Sequence, residues 1–173
     1  MKLKEYLAQN RKVILGKWFD RIIDSYPADS SSFLRLEKDR FNNPVGYNIS
    51  QDIEFLYDSL LDDRDDARLL ECLEDIVRIR AVQEFTPSEA LAFIPVLKEI
   101  LREEFSSRLS EHGLAADLLA LNAKIDRLGM KGFDAYMRCR EKIYEIKANE
   151  AKMRVYKLLE RTNLINGKSA NGE

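Results

Sequence analysis

At 173 residues the chain has room for one domain with a real core and is short for two. Apolar residues make up 45% and charged residues 34%, a globular balance, and seven Gly with four Pro supply little material for the tight turns of an all-β fold. Net charge is only −2, but residues 1–130 carry 18 Lys/Arg against 24 Asp/Glu while residues 131–163 carry 9 against 5.

An acidic body with a basic C-terminal segment argues against nucleic-acid binding by the body, and interspersed acids make the basic segment read as a solvated helix face. No apolar run approaches the roughly 18 residues of a membrane-inserted helix. The N-terminus, MKLKEYLAQNRKVIL, lacks the apolar stretch and small-residue cleavage site of a secretory signal. Cys72 and Cys139 stand apart, outside any CxxC or Cys/His cluster, which suggests free thiols in a reducing cytoplasm.

In chain order, residues 2–25 predict a first helix, with Leu3, Leu7, Ile14, Leu15, Trp18, Phe19, Ile22 and Ile23 at three- and four-residue spacing and Pro27 as a stop. Trp18 reads as core. Asp29 and the serines after it can cap a short helix carrying Phe33, Leu34 and Leu36. Asn42–Gly46 should break the chain, since Pro44 biases Asn43 away from helical angles and Gly46 accepts angles that other residues resist. Ile49, Ile53, Leu56, Tyr57 and Leu60 mark the next helix, which DDRDD at 62–66 ends. Leu69, Leu70, Leu73, Ile76 and Val77 mark another, with Cys72 on its apolar side.

The ten acids between Asp52 and Asp75 read as one solvated face, because a calcium loop would need converging oxygens and a Gly. Thr86-Pro87-Ser88-Glu89 is a capping box opening a helix with Phe93, Ile94, Leu97, Ile100, Leu101 and Phe105. Pro95 should kink that helix unless it falls in a loosened first turn. Gly113 should stop it. Leu114, Leu118, Leu121, Ile125 and Leu128 follow at heptad-like spacing, and Gly129 and Gly132 should loosen the join to a long polar helix, 131–163. Its narrow seam, Met137, Tyr144, Ala148, Ala151, Val155, Leu158 and Thr162, resembles a coiled-coil contact for a dimer or an output partner. Residues 164–173 should fray. The expectation is all-α, six or seven helices, in a single domain over 1–163.

Catalytic chemistry finds no support. His112 is the sole histidine and reads as a helix-terminus cap, with no nucleophile beside it and too few Cys or His for a zinc site. No Walker A or GxGxxG pattern is present. Cys139, between Arg138 and Arg140, could have a lowered pKa, though a bystander thiol is the plainer reading. Arg78 and Arg80 diverge by about 200° on a helix, so at most one points inward. A buried Arg requires pairing, and Glu37 or Asp39 is the natural partner, with Arg40 beside them: an acid–base clamp or partner-binding cluster.

The blocks WFDRIIDSYP, FLRLEKDRFNNPVGYNI, VRIRAVQEFTPSEALAFIPVLKEIL and REKIYEIKANEAKMRVYKLLERTN resemble, in order, the N-terminal domain of the RsbRD-type members of the RsbR family, RsbT co-antagonists of bacterial stress signalling. The resemblance implies a globin-like helical sensor domain without haem or other cofactor, a cytoplasmic homodimer that feeds a signal to a regulatory protein partner. In multidomain relatives that partner is a following STAS domain, and no such domain or phosphorylatable output site can be carried over to these residues. The rival readings are a globin-like protein binding haem or a fatty acid, and an assembly factor for an anaerobic respiratory redox complex.

Overall fold

Helix punctuation in this chain comes from side chains more than from glycine. The computed structural model describes residues 3–37, 39–64, 67–106 and 114–161. Among these, eight helices follow one another and no strand occurs: α1 (Leu3–Gln9), α2 (Arg11–Ile23), α3 (Ala28–Leu36), α4 (Pro44–Asp62), α5 (Ala67–Val82), α6 (Pro87–Leu91), α7 (Phe93–Phe105) and α8 (Leu114–Arg161). The all-α expectation holds. His112, Gly113, Thr162 and the 164–173 tail lie outside the described residues.

The helix expected over 2–25 is two. At Asn10 the backbone leaves helical angles (φ −98°, ψ 9°) and the Asn10 amide turns back to donate to the Tyr6 carbonyl at 2.9 Å. A local side-chain bond of this kind competes with the helix ladder and bends the chain there. Further on, Pro27 rather than Asp29 occupies the N-cap position of α3, and Asp29 sits in its first turn. Of the apolar residues of α3, Leu34 is buried, while Phe33 is half exposed and Leu36 almost wholly so.

Gly46 is helical, not a left-handed turn residue. Asn43 caps α4, its Oδ1 accepting from the Gly46 N–H at 2.8 Å with Pro44 in the first helical position. A Cβ at position 46 would lie 2.3 Å from the Asn43 Nδ2, so glycine is needed for space. The helix ends at Asp63, which takes the left-handed conformation (φ 59°).

The capping box forms as read: Thr86 accepts from the Glu89 N–H, and the Glu89 carboxylate accepts from the Thr86 N–H at 2.9 Å. Pro95 falls in the first turn of α7, after a break at Ala92, so the helix past it stays regular.

The largest departure is at Gly129 and Gly132, where no join exists. α8 runs unbroken through both for 48 residues. A Cβ at Gly132 would come 2.9 Å from the Ile94 Cδ1 and 3.1 Å from the Leu91 Cδ2. The glycine lets α8 lie close against α6 and α7, which offsets its poor helix propensity.

The main core cluster is contributed by every helix except α3, with Trp18, Ile53, Leu56, Leu73, Ile76, Phe93, Leu97 and Ile125 among its members, and Ile23, Tyr26 and Leu34 form a smaller second one. Two polar groups within the main cluster are paired, Trp18 Nε1 donating to the Phe93 carbonyl at 2.7 Å and the Tyr57 hydroxyl to the Leu7 carbonyl at 3.0 Å, whereas the buried Ser59 hydroxyl has no hydrogen-bond partner among the described residues. Gly46→Ala should lower stability by about 1–3 kcal/mol in a denaturant melt, against the usual ~1 kcal/mol gain for this exchange inside a helix. An unchanged or raised midpoint would show that Asn43 has room to move.

Candidate functional site

The two arginines of RIR part as their spacing requires. Arg78 is exposed and bonds Asp75 one turn back. Arg80 is 1% exposed. The expected pairing with Glu37 or Asp39 does not occur, and among the described residues Arg80 has no carboxylate within ion-pair distance. Its Nη2 donates to the Ser25 hydroxyl at 2.8 Å and to the Glu89 carbonyl at 2.9 Å. Its guanidinium lies over the Phe85 ring at 4.4 Å and the Tyr26 ring at 5.4 Å, and those rings meet edge to face. Cation–π contact, one hydroxyl and one carbonyl thus stand in place of the counter-charge, and the Arg80 Nε and Nη1 have no hydrogen-bond partner among the described residues.

Burial lowers the Arg80 pKa and raises that of Tyr26, whose hydroxyl feels the guanidinium without meeting hydrogen-bond geometry with it. Glu84, left-handed at φ 64°, turns the chain so that Phe85 folds back over Arg80. α8 closes this knot: Tyr136 donates to the Phe85 carbonyl at 2.8 Å and Arg140 to the Ala81 carbonyl at 3.3 Å. Ala81 and its neighbours are the last carbonyls of α5, which a helix leaves without intrahelical donors.

Glu37, Asp39 and Arg40 belong to a second knot, on the α3–α4 connection. Glu37 Oε1 accepts from the Asp39 N–H at 2.8 Å, and Asp39 Oδ1 accepts from Phe41 N–H at 2.8 Å and Asn42 N–H at 3.1 Å. Asn43, 2% exposed, donates to the Leu34 carbonyl at 3.0 Å and the Glu37 carbonyl at 2.8 Å. Arg40 lies over the Tyr47 ring at 5.7 Å. The cluster therefore bonds its own loop and does not meet Arg80.

The acids of 52–75 are not one solvated face. Arg11 grips Asp58 with two bonds of 2.9 Å and Glu54 with one of 3.2 Å, which raises its pKa. Lys4 pairs with Asp62 at 2.8 Å and Lys124 with Asp63 at 2.9 Å. Asp52 is buried beside Cys72, and burial pushes its carboxyl up to about 6, a hydrogen bond from the thiol opposing the shift. Cys72 is core as expected, its thiol pushed up to about 12 by the same burial. Cys139 departs from the activated reading, because burial raises its pKa and outweighs the nearby arginines, Arg78 and Arg138. Among the described residues no group of three His, Cys, Asp or Glu is placed to hold a metal ion.

Two features are left facing outward. A hollow of about 670 Å³ lies between α2, α3 and α4, floored by Leu15, Phe19 and Ile53 and rimmed by Lys12, Glu37 and Gln51. Its size is that of a small-molecule site. The other is the distal part of α8. Its last buried residue is Tyr136, and from Tyr144 to Leu158 every residue is exposed. Met137 is 39% exposed, at the edge of the bundle, while Tyr144, Val155 and Leu158 are all more than half exposed, with Ala148 and Ala151 exposed between them. The seam residues thus share a stripe on a helix that has left its own core.

Residues 12–151 match the model of the RsbT co-antagonist protein rsbRD N-terminal domain. The chain belongs to that family. It is a family of regulatory signalling domains, and two of the four blocks that carry the resemblance, FLRLEKDRFNNPVGYNI and VRIRAVQEFTPSEALAFIPVLKEIL, contain Asn43 and Arg80 of the two knots just described. The chain is also similar to an uncharacterised protein of Archaeoglobus fulgidus, 28% identical over 142 residues, which span 82% of this chain and 84% of the relative. No solved structure matches. No helix among the described residues is long and apolar enough to cross a membrane.

Arg80→Ala should cost about 2–4 kcal/mol in a melt, leaving a cavity between two rings, whereas Arg80→Met should retain most of the stability because an apolar chain of similar length dispenses with the buried charge. Equal losses would mean that the hydrogen bonds, not the packing, carry the site. Asp52 gives a pH signature. Its folded pKa near 6 lies above the unfolded value near 4, so the native state holds the extra proton between them. Stability should fall as pH rises through that window, by about 3 kcal/mol in all. Asp52→Asn should melt higher than the wild type near neutral pH, with the gap closing by about pH 4.

Proposed function

We propose that this chain is a non-catalytic regulatory domain that works by contact with another protein along the distal half of α8. The observation that supports this reading is the stripe itself. Residues 144–161 extend about 27 Å at helical rise, past the last buried position, and carry Tyr144, Val155 and Leu158 into solvent on one side. An apolar stripe of coiled-coil width, with no core of its own beneath it, is what a helix needs to join a partner helix. The match to a family of regulatory signalling domains supports the same direction.

The hollow between α2, α3 and α4 is the place for a small-ligand input in this reading. Its Glu37 rim belongs to the α3–α4 knot, and its α2 wall reaches the core through Trp18, so occupancy there bears on the packing under α7 and α8. The rival readings as a haem or fatty-acid carrier, or as a redox-complex assembly factor, have no comparable observation.

Ala151→Glu and Val155→Glu place charge on the stripe without touching the bundle. Each should abolish complex formation, self-association included, in analytical ultracentrifugation or capture from native cells, while the melting midpoint moves by no more than about 0.5 kcal/mol equivalent. Complexes that survive both changes would overturn the contact assigned to α8.

A further inference from the structure

The charges that flank the α8 stripe select among occupants. In the heptad frame set by the seam, Met137, Tyr144, Ala151 and Leu158 take d positions and Ala148 and Val155 take a positions. The g positions are then Arg140, Lys147, Arg154 and Arg161, all basic. Steps of seven residues shift direction by only about 20° on a helix, so these four form a near-straight row about 30 Å long beside the stripe. On the opposite flank, the e positions of the distal two heptads are Lys152 and Leu159. Neither flank carries an acid there.

In the bundle, by contrast, Lys4, Arg11, Lys17, Arg21, Arg35, Lys98, Lys124 and Arg138 each reach a carboxylate on another element, although Lys12, Arg102 and Arg127 have no ion pair among the described residues. Lys147 meets Glu84 only at 3.6 Å and with both groups exposed. Beyond it, Lys152, Arg154, Lys157 and Arg161 have no ion-pair partner among the described residues, although Glu150 and Glu160 are close in sequence.

A second copy of α8 cannot neutralise this row. Laid antiparallel, g faces g and four basic residues meet four. Laid parallel, g pairs with the following e of the partner, which sets Lys147 against Lys152 and Arg154 against Leu159, and only Arg140 against an acid, Glu145. Anionic lipid is a poorer match than a protein, since Met153 and Ile146 project from the side opposite the stripe and Glu141, Glu145 and Glu150 interrupt the basic surface.

Resting on α8 as the contact helix, we infer that its occupant is a partner helix with an apolar a/d stripe and acidic e and g flanks, docked along Tyr144–Arg161. The small Ala148 and Ala151 let the two backbones approach, and the basic row sets which helix is accepted. Electrostatic selection of this kind shows itself as an affinity that falls with salt.

The test uses the full chain and two synthetic helical peptides of four heptads, both with Leu at a and d, one with Glu and the other with Lys at e and g. In fluorescence anisotropy the Glu peptide should bind and weaken as salt rises, and the Lys peptide should not bind. Arg154→Glu with Arg161→Glu should reduce binding of the Glu peptide about tenfold or more, and the Lys peptide should gain what the Glu peptide loses. Equal binding of both peptides, no effect of the double charge reversal, or tighter binding to vesicles of equal parts phosphatidylserine and phosphatidylcholine would overturn the inference. So would a stable α8-dependent dimer of the wild-type chain that excludes the Glu peptide. Val155→Glu separates the two levels: if it leaves peptide binding intact, the α8 contact itself fails, whereas loss with Val155→Glu but not with the charge reversal refutes the acidic partner alone.

Discussion

The close approach of α8 to α5, α6 and α7 is the constraint on which the remaining packing depends. Gly132 removes the side chain at the tightest point, where Ile94 and Leu91 come within van der Waals reach of its backbone. Leu118, Leu121, Ile125, Leu128 and Ala135 then enter the same core as Leu73, Ile76 and Leu97. Because the helix is continuous, the apolar seam that fills the core and the stripe that leaves it are parts of one rigid object.

Two polar knots hold the helix ends around this axis. Asn43 ties the end of α3 to the start of α4 with three hydrogen bonds from one amide. Arg80 ties α5, the α2–α3 turn and α6 together, and α8 seals it through Tyr136 and Arg140. A buried guanidinium without a carboxylate is a costly choice, offset here by two aromatic faces and two oxygen acceptors. Such an arrangement fixes geometry more than it adds stability. The exposed ion pairs across the surface, Arg21 with Glu103 for example, contribute little by comparison.

Much of this was legible in residue spacing. The helix marked by Ile49 to Leu60, the capping box at Thr86 and the heptad run from Leu114 to Leu128 follow from local rules, and the structure has them, though α4 already starts at Pro44 inside the expected break. What failed was non-local. Gly129 and Gly132 look like a hinge in sequence, and only the neighbouring Ile94 and Leu91 reveal Gly132 as clearance, while Gly129 has room for a side chain. The partner of Arg80 was sought among acids because charge pairing is the common solution, while Tyr26, 54 residues away, and Phe85 supply the actual one. Asp52 lies at the three-residue step between Ile49 and Leu56, so its burial was readable; counting it within an acidic run hid the signal. Asn43 as a cap was likewise written in the Asn-Pro pair. The family resemblance located both knots without saying what held them.

The length of α8 has a mechanical consequence. Its root is clamped by the core and by Tyr136 and Arg140, while about 27 Å of it stands clear. A tilt of about 10° at the root moves the tip by roughly 5 Å, a full helical turn's worth of displacement. Rotation of the root about its own axis instead carries the stripe from one side of the bundle to another. Any sub-ångström repacking under Gly132 that tilted the root would thereby be geared up at the far end, as with a lever whose fulcrum is a glycine.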